Sequence, residues 1–195
     1  LRVRITGSVY NTANTQRLDF YDGDRAGSRY YYVMENTAAT SSANFRSGQI
    51  LPGFTNKLTA VMINPFVKYK GLEFFGTLEF TSGGDAKGVE DTRTVNQYVG
   101  DLVYRFGNNE NLFVGAKYNV VNGKLRNSDA EAVNINRFET SAGWFMTKNI
   151  LAKLNYVNQK YKDYSQFVGD PATGNVNNFY GGKFEGIVFE ATIAF

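Results

Sequence analysis

The sequence predicts an all-β fold, an antiparallel up-and-down β-barrel in which each strand pairs with the next along the chain. Apolar and polar residues alternate over long stretches, as they do on the two faces of a strand. No stretch keeps the 3.6-residue apolar period of a helix. From the third strand onward, short and long connections alternate. Consecutive antiparallel strands place alternate connections at opposite ends, so the tight turns are predicted at one end of the sheet and the long loops at the other.

Four strands are predicted in the first half of the chain. Little more than Lys70-Gly71 separates the third from the fourth, and so short a connection predicts a hairpin. A stretch rich in Ser, Thr and Asn follows the second. The four strands are residues 2–10, 28–36, 57–70 and 72–84.

Five more strands are predicted in the second half. In the first of these, Tyr98 and Phe106 lie on one face, and Asp101 and Arg105 lie on the other. The same alternation recurs in the strands that follow, and the last one ends on an aromatic residue, Phe195. The five strands are residues 92–106, 112–121, 133–147, 150–161 and 179–195.

The composition makes a single domain over residues 1–195 the simplest organisation and argues against an enzyme. There is no Cys and no His, which excludes a disulfide, a zinc-thiolate site and a serine-histidine pair within this sequence. The net charge of +3 is spread without runs, which argues against nucleic acid as a partner. Asp19, Asp22 and Asp24 fit an Asp-Gly turn better than a calcium loop, so no metal or cofactor site is predicted.

The strands indicate a membrane protein, although no segment has the ~20 consecutive apolar residues of a membrane-spanning helix. Most predicted strands reach the ~9–11 residues that cross a bilayer at the usual tilt. Tight turns at one end and long polar loops at the other are typical of outer-membrane barrels. A soluble ligand-binding β-barrel, with its apolar face turned inward, also shows the alternation and stays an alternative.

The charged residues of the polar faces are predicted to point into the barrel. There they either fill a closed lumen with ion pairs or border a water-filled pore, and the number of strands decides between the two. A plain solvated surface is the alternative. The predicted interior or pore-facing residues are Glu79, Asp101, Arg105, Lys117, Arg137, Glu139, Lys153 and Glu190.

Aromatic residues near the strand ends are predicted to form girdles at the level of the lipid headgroups. Several of them lie beside the short turns, which favours a girdle over an ordinary core. The predicted girdle residues are Tyr104, Phe106, Trp144 and Tyr156.

Four stretches, SRYYYVMENTAAT, NPFVKYKGLEFFGTLEF, VNQYVGDLVYRFG and GWFMTKNILAKLNYVNQKY, resemble the porin-like outer-membrane proteins of Bacteroidetes-type bacteria. The resemblance covers most of the chain and includes no catalytic motif. It implies a β-barrel in the bacterial outer membrane, in contact with lipids and lipopolysaccharide. It also implies that the barrel-insertion machinery reads the terminal aromatic residue, here Phe195, with Phe189 and Ile193 on the same face.

We expect a porin that lets small hydrophilic solutes or ions diffuse passively. Bacterial single-chain barrels have an even number of strands, whereas about eight to nine are predicted here. Either the first strand lies outside the wall or the chain is the C-terminal portion of a larger barrel, and we expect the latter. A closed, non-conducting barrel that serves as a structural or surface-binding component of an envelope complex is the alternative. Envelope proteins or further copies of the chain are the expected protein partners.

Overall fold

The computed structural model describes residues 1–15, 34–44, 52–85, 91–126 and 131–194. Within them, eight antiparallel strands form one sheet in which every strand pairs with its neighbours in sequence. The predicted all-β class and up-and-down order are therefore confirmed. The strands are β1 Arg2–Thr12, β2 Lys57–Tyr69, β3 Leu72–Gly84, β4 Arg93–Phe106, β5 Leu112–Gly123, β6 Val133–Thr147, β7 Ile150–Lys162 and β8 Lys183–Ile193.

The sheet is open, because β1 and β8 do not pair with each other in the described part of the chain. The first predicted strand is part of the sheet as β1, so the interpretation that leaves it outside the wall is wrong. Much of the second predicted strand, residues 28–33, lies outside the described residues. Its last residues contribute one bridge, between Glu35 and Lys183 at the start of β8.

The short and the long connections lie at opposite ends of the sheet, as predicted. At one end, which we call the turn end, they are residues 70–71, 107–111 and 148–149. At the opposite end, the loop end, the chain leaves the strands after Thr12, Gly84, Gly123 and Lys162 and enters the next ones at Lys57, Arg93, Val133 and Lys183. Lys70 has a positive φ of 52°, which lets the chain reverse within the short turn between β2 and β3.

β2 contains a proline although it is paired on both sides. Pro65 lacks an N–H, and the pairing with β3 is interrupted at Asn64 and Pro65. The side chain of Asn64 replaces the missing ladder bonds, since its Nδ2 donates to the Gly76 carbonyl at 3.2 Å and to the Thr77 hydroxyl at 2.9 Å. The strand therefore continues through the proline in unbroken register.

The hydrophobic core lies at the loop end of one face of the sheet. It contains inward residues of five strands together with residues of the loops, all of them buried: Met34, Phe54, Leu58, Ala60, Val95, Val121, Leu125, Val133, Ile135, Tyr161 and Tyr164. The α-helix α1, Ser41–Asn44, is one turn long, and none of the helices described is long and apolar enough to cross a membrane.

Candidate functional site

One face of the sheet carries an exposed band of apolar side chains, which we call the apolar belt. At its centre Leu102 of β4 is 46% exposed, and aromatic side chains such as Phe74 and Phe138 are exposed as well. Within β2 to β6 the belt consists of the alternate residues of runs that are equal in length. These runs are residues 61–69, 72–80, 98–106, 112–120 and 138–146.

The belt ends sharply toward the loop end. On four consecutive strands the first residue beyond it on the same face is an asparagine: Asn96 of β4, Asn122 of β5, Asn136 of β6 and Asn158 of β7. On β8 the corresponding residue is Glu185. The face thus changes from apolar to polar along one continuous line across the sheet.

This line descends toward the turn end at three of the seven strand pairings. Phe80, the last belt residue of β3, pairs with Asn96, whereas the last belt residue of β4, Tyr98, pairs with Leu78. The same two-residue step recurs from β5 to β6 and from β6 to β7, and the line is level at the other pairings. With a rise of ~3.4 Å per residue and ~4.8 Å between strands, this slope tilts the strands by about 30–35° from the normal of the belt.

The four predicted girdle residues all lie on the belt face and are exposed. Tyr104, Phe106 and Trp144 lie at the turn-end rim, where Tyr104 and Phe106 stack with ring centroids 5.9 Å apart. Tyr156 lies at the opposite rim, and its hydroxyl donates to the carboxylate of Glu185. The structure therefore places aromatic residues at both edges of the belt.

The residues predicted to form an insertion signal lie partly within the described chain. Phe189 and Ile193 occupy the belt face of β8 and are exposed. Phe195 lies outside the described residues, so its position is not part of the site.

All eight residues predicted to face the interior lie on the opposite side of the sheet, which we call the charged face. Asp101, Lys117 and Glu139 form one row across β4, β5 and β6. Lys153 Nζ lies 2.8 Å from Glu190 Oε2. Opposite charges therefore stand on neighbouring strands. The remaining residues of the set are Glu79 on β3, Arg105 on β4 and Arg137 on β6, which pairs with Glu139.

The turn end of the charged face holds an ion-pair network that the sequence interpretation missed. Glu73 Oε1 lies 2.7 Å from Lys68 Nζ and 3.1 Å from Arg105 Nε, and Lys68 Nζ lies 3.2 Å from Glu110 Oε2. These groups line an open cavity of about 880 Å³. Lys68 and Glu73 flank the turn at residues 70–71, so pairing across the predicted hairpin was the signal that could have found them.

A buried cation fastens the loops to the loop end of the charged face. Arg93 of β4 is only 6% exposed. Its Nη1 donates to the carbonyls of Pro52 at 2.5 Å and Leu125 at 2.8 Å, and its Nη2 donates to the carbonyl of Gly53 at 2.8 Å. The ring of Phe54 lies 4.8 Å from the guanidinium carbon. One side chain therefore ties two separate loops to the sheet.

Apolar loop residues complete this cover, which we call the loop cap. Phe54 lies on Gly83 of β3, where a Cβ atom would approach the ring to 2.6 Å. Tyr164 and Phe179 stack with ring centroids 5.4 Å apart, next to Tyr161 of β7. The loops were predicted to be polar, and their isolated aromatic residues were the signal for this packing.

Beneath the loop cap the polarity of the two faces is opposite to that at the turn end. In β6, Ile135 on the charged face is buried at the loop end and Asn136 on the belt face is polar, whereas farther along Glu139 lies on the charged face and Phe138 on the belt. β4 shows the same reversal, with Val95 and Asn96 before Tyr98 and Asp101. The strands that contribute to the core therefore have a protein core on the charged face at the loop end and an apolar surface on the belt face at the turn end; these strands are β2, β4, β5, β6 and β7.

Comparison with family models, with curated proteins and with solved structures finds no match for this chain. In the part of the chain that the structure describes, no group of three or more acidic side chains is placed to hold a metal ion. Asp19, Asp22 and Asp24 lie outside the described residues, and the candidate site rests on the belt, the charged face and the loop cap.

Proposed function

We propose that this chain forms the wall of an outer-membrane β-barrel of porin type, through which small hydrophilic solutes or ions diffuse passively. The observation that carries the proposal is the apolar belt. A large exposed apolar surface with a polar border marks contact with another apolar phase. Belt runs of ~9 residues, tilted by about 30–35°, agree with the ~9–11 tilted residues of a membrane-spanning strand and come close to the tilt of ~35–45° in outer-membrane barrels.

Closure of the barrel follows from the same placement. In the hydrocarbon core an unpaired backbone N–H or C=O loses its bonds to water at a cost of several kcal/mol. An open edge along β1 or β8 is therefore excluded in lipid. We place both edges against strand edges of a closed barrel, with the belt outward and the charged face toward the lumen.

The aromatic residues and the polar line support the orientation of the belt. Tyr104, Phe106 and Trp144 would lie at one headgroup level and Tyr156 at the other, as in aromatic girdles. The loop end would face outward, beside lipopolysaccharide, because long loops of such barrels are extracellular. Phe189 and Ile193 would belong to the signal for the barrel-insertion machinery. The resemblance to porin-like proteins of Bacteroidetes-type bacteria points the same way.

Trp144, the single tryptophan, offers a direct test of membrane contact. Protein refolded into bilayers that contain brominated lipids should show strong quenching of Trp144, because the indole lies on the belt face. A matched control is Trp144→Phe combined with Phe113→Trp, which moves the probe to the charged face. Equal quenching in both proteins would overturn the orientation. Protein that stays in the aqueous phase without detergent would support the soluble ligand-binding barrel instead.

The pore itself is tested by electrical recording. Folded protein added to a planar bilayer should produce stepwise increases in conductance. Silent bilayers with inserted, folded protein would defeat the pore while leaving the membrane wall intact.

One observation favours a second candidate, the closed, non-conducting barrel that serves an envelope complex. The loop cap covers the charged face at the loop end, from Leu58 on β2 to Tyr161 on β7. A cover of this extent narrows or fills the outer mouth. Insertion shown by Trp144 quenching together with absent conductance is the result expected for this candidate.

A further inference from the structure

The turn end of the charged face carries more positive charge than its carboxylates balance. We call this region the cationic corner. It consists of the cations Arg2, Arg4, Lys68, Arg105 and Lys148 around the carboxylates of Glu73 and Glu110.

The two carboxylates are already engaged. Glu73 is shared by Lys68 and Arg105, and Glu110 lies beside Lys68. Arg2 and Arg4 lie on the same face of β1, are exposed, and have no ion-pair partner among the described residues. Their positive charges are therefore free to attract an anion in the space above the charged face.

The register places like charges opposite each other. Arg2 is the cross-strand partner of Lys68. Side chains at such positions have Cβ atoms about 4.5–5.5 Å apart, and like charges there are unfavourable. An anion between the two side chains would turn this repulsion into attraction for both.

A cavity adjoins Lys68 on the side away from β1 and offers room for an anion next to this cross-strand pair. It measures about 880 Å³, and its charged and amide lining residues are Lys68, Arg105, Lys148, Glu73, Glu110, Asn108, Asn109 and Asn111. Guanidinium groups bind phosphate oxygens in a bidentate way, and lysines add point charges. Amide N–H groups supply further donors.

We propose that the cationic corner binds phosphate-type oxyanions, so that small phosphorylated solutes are the class that this wall favours. The binding site stands on the geometry above, whereas the preference for a transported solute rests on the proposed pore. The two parts are tested by separate measurements.

Binding is measured by calorimetry on the folded full chain in detergent, with inorganic pyrophosphate as the probe at low ionic strength. The double variant Arg2→Gln with Arg4→Gln should bind pyrophosphate about tenfold more weakly, as expected for the loss of two charge-assisted contacts. Arg2→Lys with Arg4→Lys should retain most of the affinity. Lys160→Gln with Lys162→Gln is the matched control, since it removes two exposed cations of β7 far from the corner, and its affinity should equal that of the wild type.

Equal weakening in the control variant would show that only net charge matters and would overturn the site, as would the absence of pyrophosphate binding to the wild type. If the arginine variant does not fold, Lys148→Gln replaces it in the test, because Lys148 lies in an exposed turn outside the strands. This variant should bind pyrophosphate more weakly than the wild type, with a smaller effect than the arginine variant. Pyrophosphate binding without conductance would refute the pore and keep the site. Conductance that pyrophosphate does not reduce, in protein that does not bind it, would refute the site and keep the pore.

Discussion

In the five strands that contribute to the core, the two halves of a strand lie in opposite environments, although the alternation of side chains continues through both. At the loop end the charged face carries the protein core, and the belt face carries polar residues such as Asn96 and Asn136. At the turn end the belt face is apolar, and the charged face holds ion pairs such as that of Lys153 with Glu190. The loop-end half is therefore built like a soluble sheet, and the turn-end half like a membrane wall.

Because of this difference in environment, side chains in the two halves should contribute to stability to different degrees. The core side chains of the loop-end half are closely packed, so even the removal of one methylene group lowers the free energy of unfolding. In the turn-end half the charged side chains are partly exposed, and their pairs contribute little to stability. Substitutions of one kind should therefore have different effects in the two halves.

The largest contrast is expected for leucine truncation. Leu58→Ala removes a side chain that is 0% exposed, and we expect a loss of about 2–5 kcal/mol in the free energy of unfolding. Leu154→Ala, at a belt position that is 51% exposed, should lose less, because truncation of a side chain that is already half exposed leaves no closed cavity. Urea titration followed by Trp144 fluorescence measures both. Equal losses would mean that the two halves do not differ in packing.

The second-largest loss of stability is expected when the cation of the loop cap, Arg93, is replaced. Arg93→Leu leaves the carbonyls of Pro52, Gly53 and Leu125 without their donor, so at least about 3 kcal/mol of unfolding free energy should be lost. Arg93→Lys should lose less, because one ammonium can still reach part of this set. Lys162→Leu, an exposed cation of β7, should change little. The same denaturant titration applies, and a stability of Arg93→Leu equal to that of the control would refute the role of the cap.

A charge placed on the belt distinguishes the halves on the belt face. Leu102 lies at the centre of the belt run of β4, and Leu102→Arg should cost about 2–4 kcal/mol in a bilayer. Asn96→Arg, on the same face beyond the polar line, should cost about 0–1 kcal/mol. The folded fraction in lipid vesicles, from heat-modifiable gel mobility, measures the difference. A belt that contacts water instead of lipid would give two similar values.

Much of this architecture can be predicted from the sequence, because it depends on local patterns. Period-2 alternation identified the eight strands of the sheet, and the short turns identified their order. The predicted strand at residues 28–36 contributes only the bridge of Glu35 within the described residues. The sorting of Asp101 and Lys117 to one face and of Tyr104 and Trp144 to the other follows from counting in twos.

The reversal of polarity was not predicted, because alternation alone does not say which face is covered. Val95 and Asn96 continue the alternation of Tyr98 and Asp101, and Val95 is a core residue because it lies in a cluster that includes loop residues such as Phe54 and Leu125. Arg93 was missed for the same reason, since its partners are backbone carbonyls of distant loops. Long-range contacts of this kind leave no periodic signal.

The smallest effect is expected for an ion pair of the charged face. Lys153 and Glu190 are 27% and 40% exposed, so Glu190→Gln should change the free energy of unfolding by about 0–1 kcal/mol. The coupling between the two side chains is best measured with Lys153→Gln and the double variant, at low and high salt. Coupling that fades with salt places the pair in water, as a lumen requires. A coupling of several kcal/mol that salt does not weaken would instead mean that water is excluded from around the pair. The turn-end half would then be packed like the loop-end half, and this result would support the closed barrel.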